Sequence, residues 1–191
     1  MFNFFNKTAF VLGGSGLIGS KVIEKLLDLN CKIINLDIKK YKIQKNINYN
    51  FSKFDCSQIN YKKIYKKIIK KFGLPDIFIN CSYPKTNDWK KNNFDNISYD
   101  SLKKNVEMQL VNQSFLIKEV AQQNKKSKKK CSIVLLSSIY GLVGQDISIY
   151  KNTKVSENLS YTITKGALIN FTRQMSSFYT RFGIRTNCVC P

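Results

Sequence analysis

What constrains this chain most is an alternation. Short strand-like runs stand at Thr8–Leu12, Lys32–Leu36, Tyr49–Phe54, Asp76–Asn80, Ser132–Leu136 and Arg185–Val189. Helical patterns fill most of the gaps, at Leu17–Leu29, Ile59–Phe72, Ser101–Gln123 and Tyr161–Phe182, with apolar residues three and four apart such as Ile64, Ile68 and Phe72. Strands joined through helices pair in parallel, because a parallel neighbour is reached only by a long crossover. The pattern therefore predicts an α/β fold, a doubly wound parallel sheet covered on both faces. At 191 residues the chain suffices for one domain that buries about 70% of its unfolded surface, so a single domain over 1–191 is expected.

Open sheets of this kind bind ligands beyond the carboxyl ends of their strands, so the residues just after each strand are the ones to read. The first strand runs into VLGGSGLIGS at 11–20, and Ile18, Val22, Ile23, Leu26 and Leu27 then share a helical face. Gly14-x-Gly16-x-x-Gly19 fits a dinucleotide fingerprint: the glycines tighten the turn, admit a pyrophosphate to backbone amides and let helix and strand pack closely. The anion would rest on the free amides and positive end of the helix, making Gly13, Ser15, Gly16, Leu17, Ile18 and Gly19 candidate cofactor contacts. Asp37 ends the second strand, 18 residues beyond Gly19. A carboxylate there accepts from a ribose 2′-hydroxyl and repels a 2′-phosphate, which favours NAD; Lys39 and Lys40 close by are the argument for NADP. The later strand ends carry Asp55-Cys56, Asn80-Cys81-Ser82 and Ser137-Ser138.

Composition excludes several alternatives. The net charge is +20, yet lysines are spread over every segment. Their densest runs, Lys62–Lys71 and Lys125–Lys130, fall on a helix face and in a loop, here read as solvated surface. No basic run is interleaved with stacking aromatics, so nucleic acid is not the expected partner, although the field draws in polyanions. No apolar run approaches the length of a membrane span, and MFNFFNK at the start leads straight into a strand, unlike a signal peptide. The six cysteines sit singly in or beside apolar runs, without the spacing of a zinc site, and read as buried reduced thiols of a cytoplasmic protein. Cys188 and Cys190 share a face. Histidine is absent, which removes imidazole chemistry, and no metal site is expected.

The reactive centre is expected at Ser138, Tyr161 and Lys165. A tyrosine and a lysine four apart on a helix lie one above the other, and an ammonium so placed favours the phenolate of a group whose free-solution pKa is about 10. Such a phenol exchanges a proton with an alcohol or carbonyl oxygen, and Ser138 hydrogen-bonds that oxygen. Tyr150 with Lys154 has the same spacing but no apolar helical stripe around it, whereas Tyr161 is followed by Leu168, Phe171 and Met175.

Together GGSGLIG at 13–19, Asp37, Asp55, NCS at 80–82, LLSS at 135–138, YTITKGALINFTR at 161–173 and FGIRTNCVCP at 182–191 resemble the short-chain dehydrogenase/reductase family over essentially the whole chain. The resemblance implies a Rossmann-type sheet and a nicotinamide cofactor, NAD before NADP. It also implies a polar small-molecule substrate oriented by Ser138, Tyr161 as acid/base, and Lys165 holding the nicotinamide ribose. Asp55 and Cys56 would flank the adenine, Asn80 the adenosine ribose, with Cys81 and Ser82 also against the cofactor. Family members usually associate through the helices at Ser101–Gln123 and Tyr161–Phe182, so a homo-oligomer, dimer or tetramer, is implied.

Four features depart from the family pattern. Gly13-x-x-Gly16-x-x-Gly19 resembles the extended, sugar-nucleotide branch, while the later blocks resemble the shorter branch of simple oxidoreductases. Asn80-Cys81-Ser82 is bulkier than the usual Asn-Ala-Gly. The relay asparagine of the family's helix is not at its counted place, where Leu110 stands with Gln109, Asn105 and Asn112 nearby. The sequence ends at Pro191, where members continue into a substrate lid and a seventh strand, so a C-terminally incomplete domain is expected. The 22 residues between Ser138 and Tyr161 exceed the shorter branch's usual length and resemble members that act on sugars in bacterial surface-glycan pathways, including those of nonulosonic acids. The leading function is thus an NAD(P)-dependent oxidoreductase interconverting a secondary alcohol and a ketone. The alternatives are a sugar-nucleotide epimerase or dehydratase using the same Ser, Tyr and Lys, and a basic nucleic-acid-binding or scaffold protein on a Rossmann shell.

Overall fold

The computed structural model describes residues 3–41, 46–58, 60–153 and 155–191. Ile59, expected to open the second helix, Lys154, the lysine paired in sequence with Tyr150, and the first two residues of MFNFFNK lie outside the described residues.

Strands β1 (Thr8–Leu12), β2 (Lys32–Asp37), β3 (Tyr49–Lys53), β4 (Ile77–Asn80), β5 (Cys131–Leu136) and β6 (Ile184–Val189) form one sheet in the order β3-β2-β1-β4-β5-β6. Every neighbouring pair is parallel. This is the doubly wound Rossmann-type order, and each strand lies within one residue of its predicted ends. The helices are α1 (Leu17–Asp28), α2 (Tyr61–Phe72), α3 (Tyr99–Val106), α4 (Asn112–Lys126) and α5 (Leu159–Tyr179). The strand order reverses beside β1, and registers such as Leu12 opposite Leu36 and Asn80 bring the strand ends to one edge.

Period-two alternation divides the core between the two faces. Phe10, Leu12, Ile34, Leu36, Phe78, Ile133 and Leu135 pack with Tyr65 and Ile68 of α2, Leu116, Ile117 and Val120 of α4, and Met175 and Tyr179 of α5. Ala9, Val11 and Ile33 turn the other way, onto Ile23 and Leu26 of α1. Each large side chain so buried is worth about 1.5–3 kcal/mol relative to exposure, which is why these helices lie on the sheet. The six lysines of α2 all face solvent, so that charge run is the exposed side of an amphipathic helix.

Two predicted boundaries are corrected. Asn124–Lys130, read as a loop, begins inside α4, because Asn124 is buried and its amide donates to the Pro75 carbonyl at 2.9 Å. The helix expected at Ser101–Gln123 runs from Tyr99 to Lys126 but is interrupted by a π turn at Glu107–Val111. Such a turn accommodates one extra residue within a helix and rotates the residues beyond it about the axis. All six cysteines are free thiols, but only Cys31, Cys56 and Cys131 are buried; Cys81, Cys188 and Cys190 are half-buried, at strand ends rather than in the core.

Candidate active site

Where the strand order reverses, a cleft of about 770 Å³ opens beyond β1, β2, β3 and β4, within the usual range for small-molecule sites. Gly13, Ser15, Gly16, Leu17 and Ile18 line it from the β1–α1 turn, Asp37 and Lys39 from the end of β2, Asp55 and Cys56 from beyond β3, and Cys81, Ser82 and Tyr83 from beyond β4. The glycines are forced by space. Gly13 has φ +72°, and a Cβ there would lie 2.6 Å from the Ser82 backbone. A Cβ on Gly19, beneath the turn, would collide with the Gly13 carbonyl oxygen and come within 2.7 Å of Gly14 Cα. Gly16 caps α1 with extended backbone and no side-chain bond, so amides of the first turn remain available to an anion. A cradle that any side chain would fill, in front of an uncapped helix, fits the pyrophosphate of a dinucleotide.

Asp37 is fixed from both sides: Ser15 N–H donates to Oδ2 at 2.9 Å and Lys39 N–H to Oδ1 at 3.2 Å. One amide of the glycine turn is therefore committed to this carboxylate. Burial works against the charge of Asp55, but hydrogen bonds from the Ser57 hydroxyl (2.6 Å), the Ser57 amide (2.9 Å) and Gln58 (3.3 Å) outweigh it and hold the carboxyl below its usual range. Burial pushes the thiol of Cys56 up to about 11 and that of Cys81 to about 11, the nearby Lys165 ammonium acting the other way on Cys81. Both remain protonated thiols at neutral pH. Asn80 is buried and is not among the residues that line the cleft. Its Oδ1 accepts from Ser82 N–H (3.0 Å) and Oγ–H (2.7 Å), and its amide donates to Gln113 at 2.7 Å. The side chain shapes the turn that carries Cys81 and Ser82, since an asparagine there can bond its own backbone two residues on.

The ends of β5 and α5 are locked together. Ser137 Oγ donates to the Lys165 carbonyl at 2.7 Å, and a Cβ on Gly141 would lie 2.8 Å from the Lys165 backbone. Ser138 is 5% exposed, and its Oγ accepts from Tyr140 N–H at 3.2 Å. Tyr161 lies in the first turn of α5, where Asn158 caps the helix by accepting the Tyr161 amide at 2.9 Å. Lys165 is 7% exposed, its Nζ lies 5.5 Å from the Tyr161 ring centroid, and it donates to the Leu136 carbonyl at 2.7 Å. Burial lowers its pKa, while Cys188, Cys190 and Cys81 pull it back up. Tyr150 ends a short 3-10 turn (Ile147–Tyr150) in the long segment before α5, with its hydroxyl bonded to that of Tyr140. It is not on the helix that its sequence spacing required.

Tyr83, Trp89, Asn158 and Thr164 escaped the sequence reading, which named Gln109, Asn105 and Asn112 only as neighbours of Leu110. The π turn brings Gln109, not Leu110, against the site: its amide donates to the Pro84 carbonyl at 2.9 Å and to Asn105 Oδ1 at 3.1 Å, and its Oε1 accepts from Thr164 at 3.0 Å. Asn112 is used elsewhere, on the Ser57 carbonyl at 2.9 Å. Tyr83 packs edge-on against Tyr161, and Trp89 against Tyr83. Tyr83 follows directly on the Asn80-Cys81-Ser82 strand end, and Asn158 precedes an apolar helix by the spacing of a cap; those were the signals available.

A glycine cradle at the switch point of a doubly wound sheet is the architecture of a dinucleotide-binding protein; Ser138, Tyr161 and Lys165 are not among the residues lining the cleft, and Tyr83, which is, packs against both Tyr161 and Lys165. Likeness to known proteins carries this to a family. The family model described as short chain dehydrogenase matches residues 7–191, and the chain belongs to that family of NAD(P)-dependent enzymes. An uncharacterized oxidoreductase of Thermotoga maritima is 26% identical over 99% of this chain and 72% of its own length. Post-translational flagellin modification protein A of Campylobacter coli is 27% identical over 95% of this chain and 75% of its own. A short chain dehydrogenase from Leptospira borgpetersenii, solved with bound NAD+, superposes with a TM-score of 0.87 at 26% identity, covering 99% of this chain and 72% of that one.

Proposed function

We propose that this protein interconverts a secondary alcohol and a ketone on a polar, sugar-like substrate with NAD, using Tyr161 as acid/base, Ser138 to hold the reacting oxygen and Lys165 as the supporting charge. The observation that carries the reading is the Lys165 ammonium, buried beside the Tyr161 ring with one N–H given to the Leu136 carbonyl. An ammonium has three N–H groups; two remain, one for the phenol and one for a nicotinamide ribose. The chemistry a bound nicotinamide supplies is two-electron exchange with the substrate carbon. The chain's part is the proton: in oxidation the phenolate of Tyr161 takes it from the substrate hydroxyl while Ser138 donates to the same oxygen, and in reduction it returns.

NAD is favoured over NADP because Asp37, held by two amides, offers its carboxylate where a 2′-phosphate would bring a second negative charge. The sugar reading is supported by the long segment before α5, whose Tyr140 and Tyr150 hydroxyls meet near Tyr161. A second copy of the chain is the expected partner at the apolar groove between α4 and α5, where Phe115 and Phe178 are 52% and 43% exposed. Six free thiols fit a reducing, cytoplasmic compartment, and among the described residues no helix is long and apolar enough to cross a membrane.

The test is Tyr161→Phe, assayed as NADH formation on a panel of aldoses and polyols. Turnover should fall by a factor of about 10² or more while NADH binding, followed by nicotinamide fluorescence, stays within about twofold. Loss in Tyr150→Phe with none in Tyr161→Phe would overturn the assignment.

A further inference from the structure

The segment from β4 to α3 does more than join them. Its short 3-10 turn, Trp89–Lys91, is tied to Tyr161 by two separate routes. On one, the Trp89 indole N–H donates to the Tyr83 hydroxyl at 2.8 Å, and the Tyr83 ring meets the Tyr161 ring edge-on, with centroids 5.6 Å apart at 76°. On the other, the Trp89 carbonyl accepts from the Asn158 amide at 2.9 Å, and Asn158 Oδ1 in turn accepts the Tyr161 backbone N–H at 2.9 Å. The ring and the main chain of Tyr161 are thus both referred to one residue, closing a circuit. Lys165 Nζ lies inside it, 5.2 Å from the Tyr83 centroid and 5.5 Å from that of Tyr161.

A phenol's oxygen sits at the end of a long lever, so small rotations of the side chain move it far. Proton transfer demands hydrogen-bond reach, and an error of about 1 Å in a reacting group costs about 10²-fold in rate. The helix fixes only Cα and Cβ of Tyr161; what fixes the ring is its neighbour. Edge-on packing by Tyr83 gives the ring one preferred plane, and two ring faces give the ammonium of Lys165 one preferred seat between them.

We propose that Tyr83 and Trp89 are positioning residues for the Tyr161–Lys165 pair: Trp89 orients Tyr83, and Tyr83 sets the plane of Tyr161 and the seat of the lysine. The proposal rests on the reading of Tyr161 as the acid/base. Tyr83 keeps its own proton, since burial pushes its hydroxyl well above the usual phenol range, so it serves as a wall and not as a second acid.

The experiment compares wild type with Tyr83→Leu, Tyr83→Phe, Trp89→Phe and Tyr161→Phe, using NAD+ and whichever of L-fucose, D-ribose and ribitol the wild type oxidises fastest. Tyr83→Leu should lower kcat about 10- to 100-fold, by more than it weakens NADH binding at the cleft that Tyr83 lines, and raise the solvent deuterium isotope effect on kcat. A general loosening of the fold would not move the isotope effect. Tyr83→Phe keeps the ring but, like Trp89→Phe, breaks the bond between the two residues; it should lose kcat several-fold, clearly less than Tyr83→Leu, a partial rescue by the conservative variant. Where Tyr83→Leu fails to fold, Trp89→Phe, which removes only the N–H donor and keeps a ring, carries the test with a several-fold loss in kcat. Unchanged kcat in these variants, or a loss confined to KM for the sugar, overturns the positioning role while Tyr161→Phe remains dead. An active Tyr161→Phe, or a wild type that oxidises none of the sugars, overturns instead the reading beneath it.

Discussion

Two glycines lie within helices of this fold, and the same substitution should act on them with opposite sign. Alanine in place of a helical glycine gains about 1 kcal/mol of propensity. At Gly166 the new methyl would meet only the Gly141 carbonyl oxygen at 3.4 Å, ordinary contact, so Gly166→Ala should keep most of that gain. At Gly19 it would collide with the Gly13 carbonyl oxygen and stand 2.7 Å from Gly14 Cα and 2.9 Å from the Gly13 carbonyl carbon. All three are backbone atoms of a turn that has nowhere to retreat, because Gly13 itself is pressed on Ser82 and Gly14 on Asn35 and Ile23. Overpacking against three backbone atoms costs about 2–3 kcal/mol, the upper part of the usual range, so a net loss of about 1–2 kcal/mol remains after the propensity gain. For a chain of this size that is about 2–8 °C in Tm. The displaced turn should also weaken NADH binding at least about tenfold, since the pyrophosphate cradle moves with it. Thermal melts of both variants with and without NADH, together with NADH titration, make the measurement. A Gly19→Ala variant as stable as wild type, with undiminished NADH affinity, would refute the argument that close packing dictates the glycine.

Asp37→Ala should lower the ratio of kcat/KM with NAD+ to that with NADP+, and an unchanged ratio would remove Asp37 from cofactor selection. Tyr65 is fully buried, and its hydroxyl has no hydrogen-bond partner among the described residues; Tyr65→Phe should therefore be stabilising by about 1 kcal/mol in urea unfolding, and a loss of stability would reveal a partner. Phe178→Lys on the α4–α5 groove should shift the mass seen by light scattering toward the monomer, while a monomeric wild type would exclude that face as a self-association site.

Much of the fold could be read before any coordinates. The strands declared themselves because each is a short apolar run ending in a polar residue or glycine, and the β1–α1 turn because its glycines are dictated by backbone crowding. The helix that carries Tyr161 and Lys165 was legible through its apolar stripe. The aromatic wall was not: Tyr83 and Trp89 lie in an irregular segment with no period, and their meeting with Tyr161 depends on how that segment folds back onto Asn158. The π turn was also hidden, since one extra residue leaves the composition of a helix unchanged and only shifts the phase of its apolar stripe, although Gln109, bonded to Pro84 and Thr164, lies within that turn. The bonds of Asn80 were not legible either, because an asparagine at a strand end serves a ligand and its own turn equally well in sequence; its side chain bonds Ser82 and Gln113.

On the proposed reading, the bond from Ser15 N–H to Asp37 joins two tasks that are usually described apart, gripping phosphates and telling one cofactor from another. Any redesign of this enzyme toward NADP that simply deletes the carboxylate also releases an amide of the glycine loop, so the engineered site would lose grip on both cofactors even as its preference shifted. Retuning the electron carrier here calls for a paired change, one at the end of β2 and one in the loop that faces it.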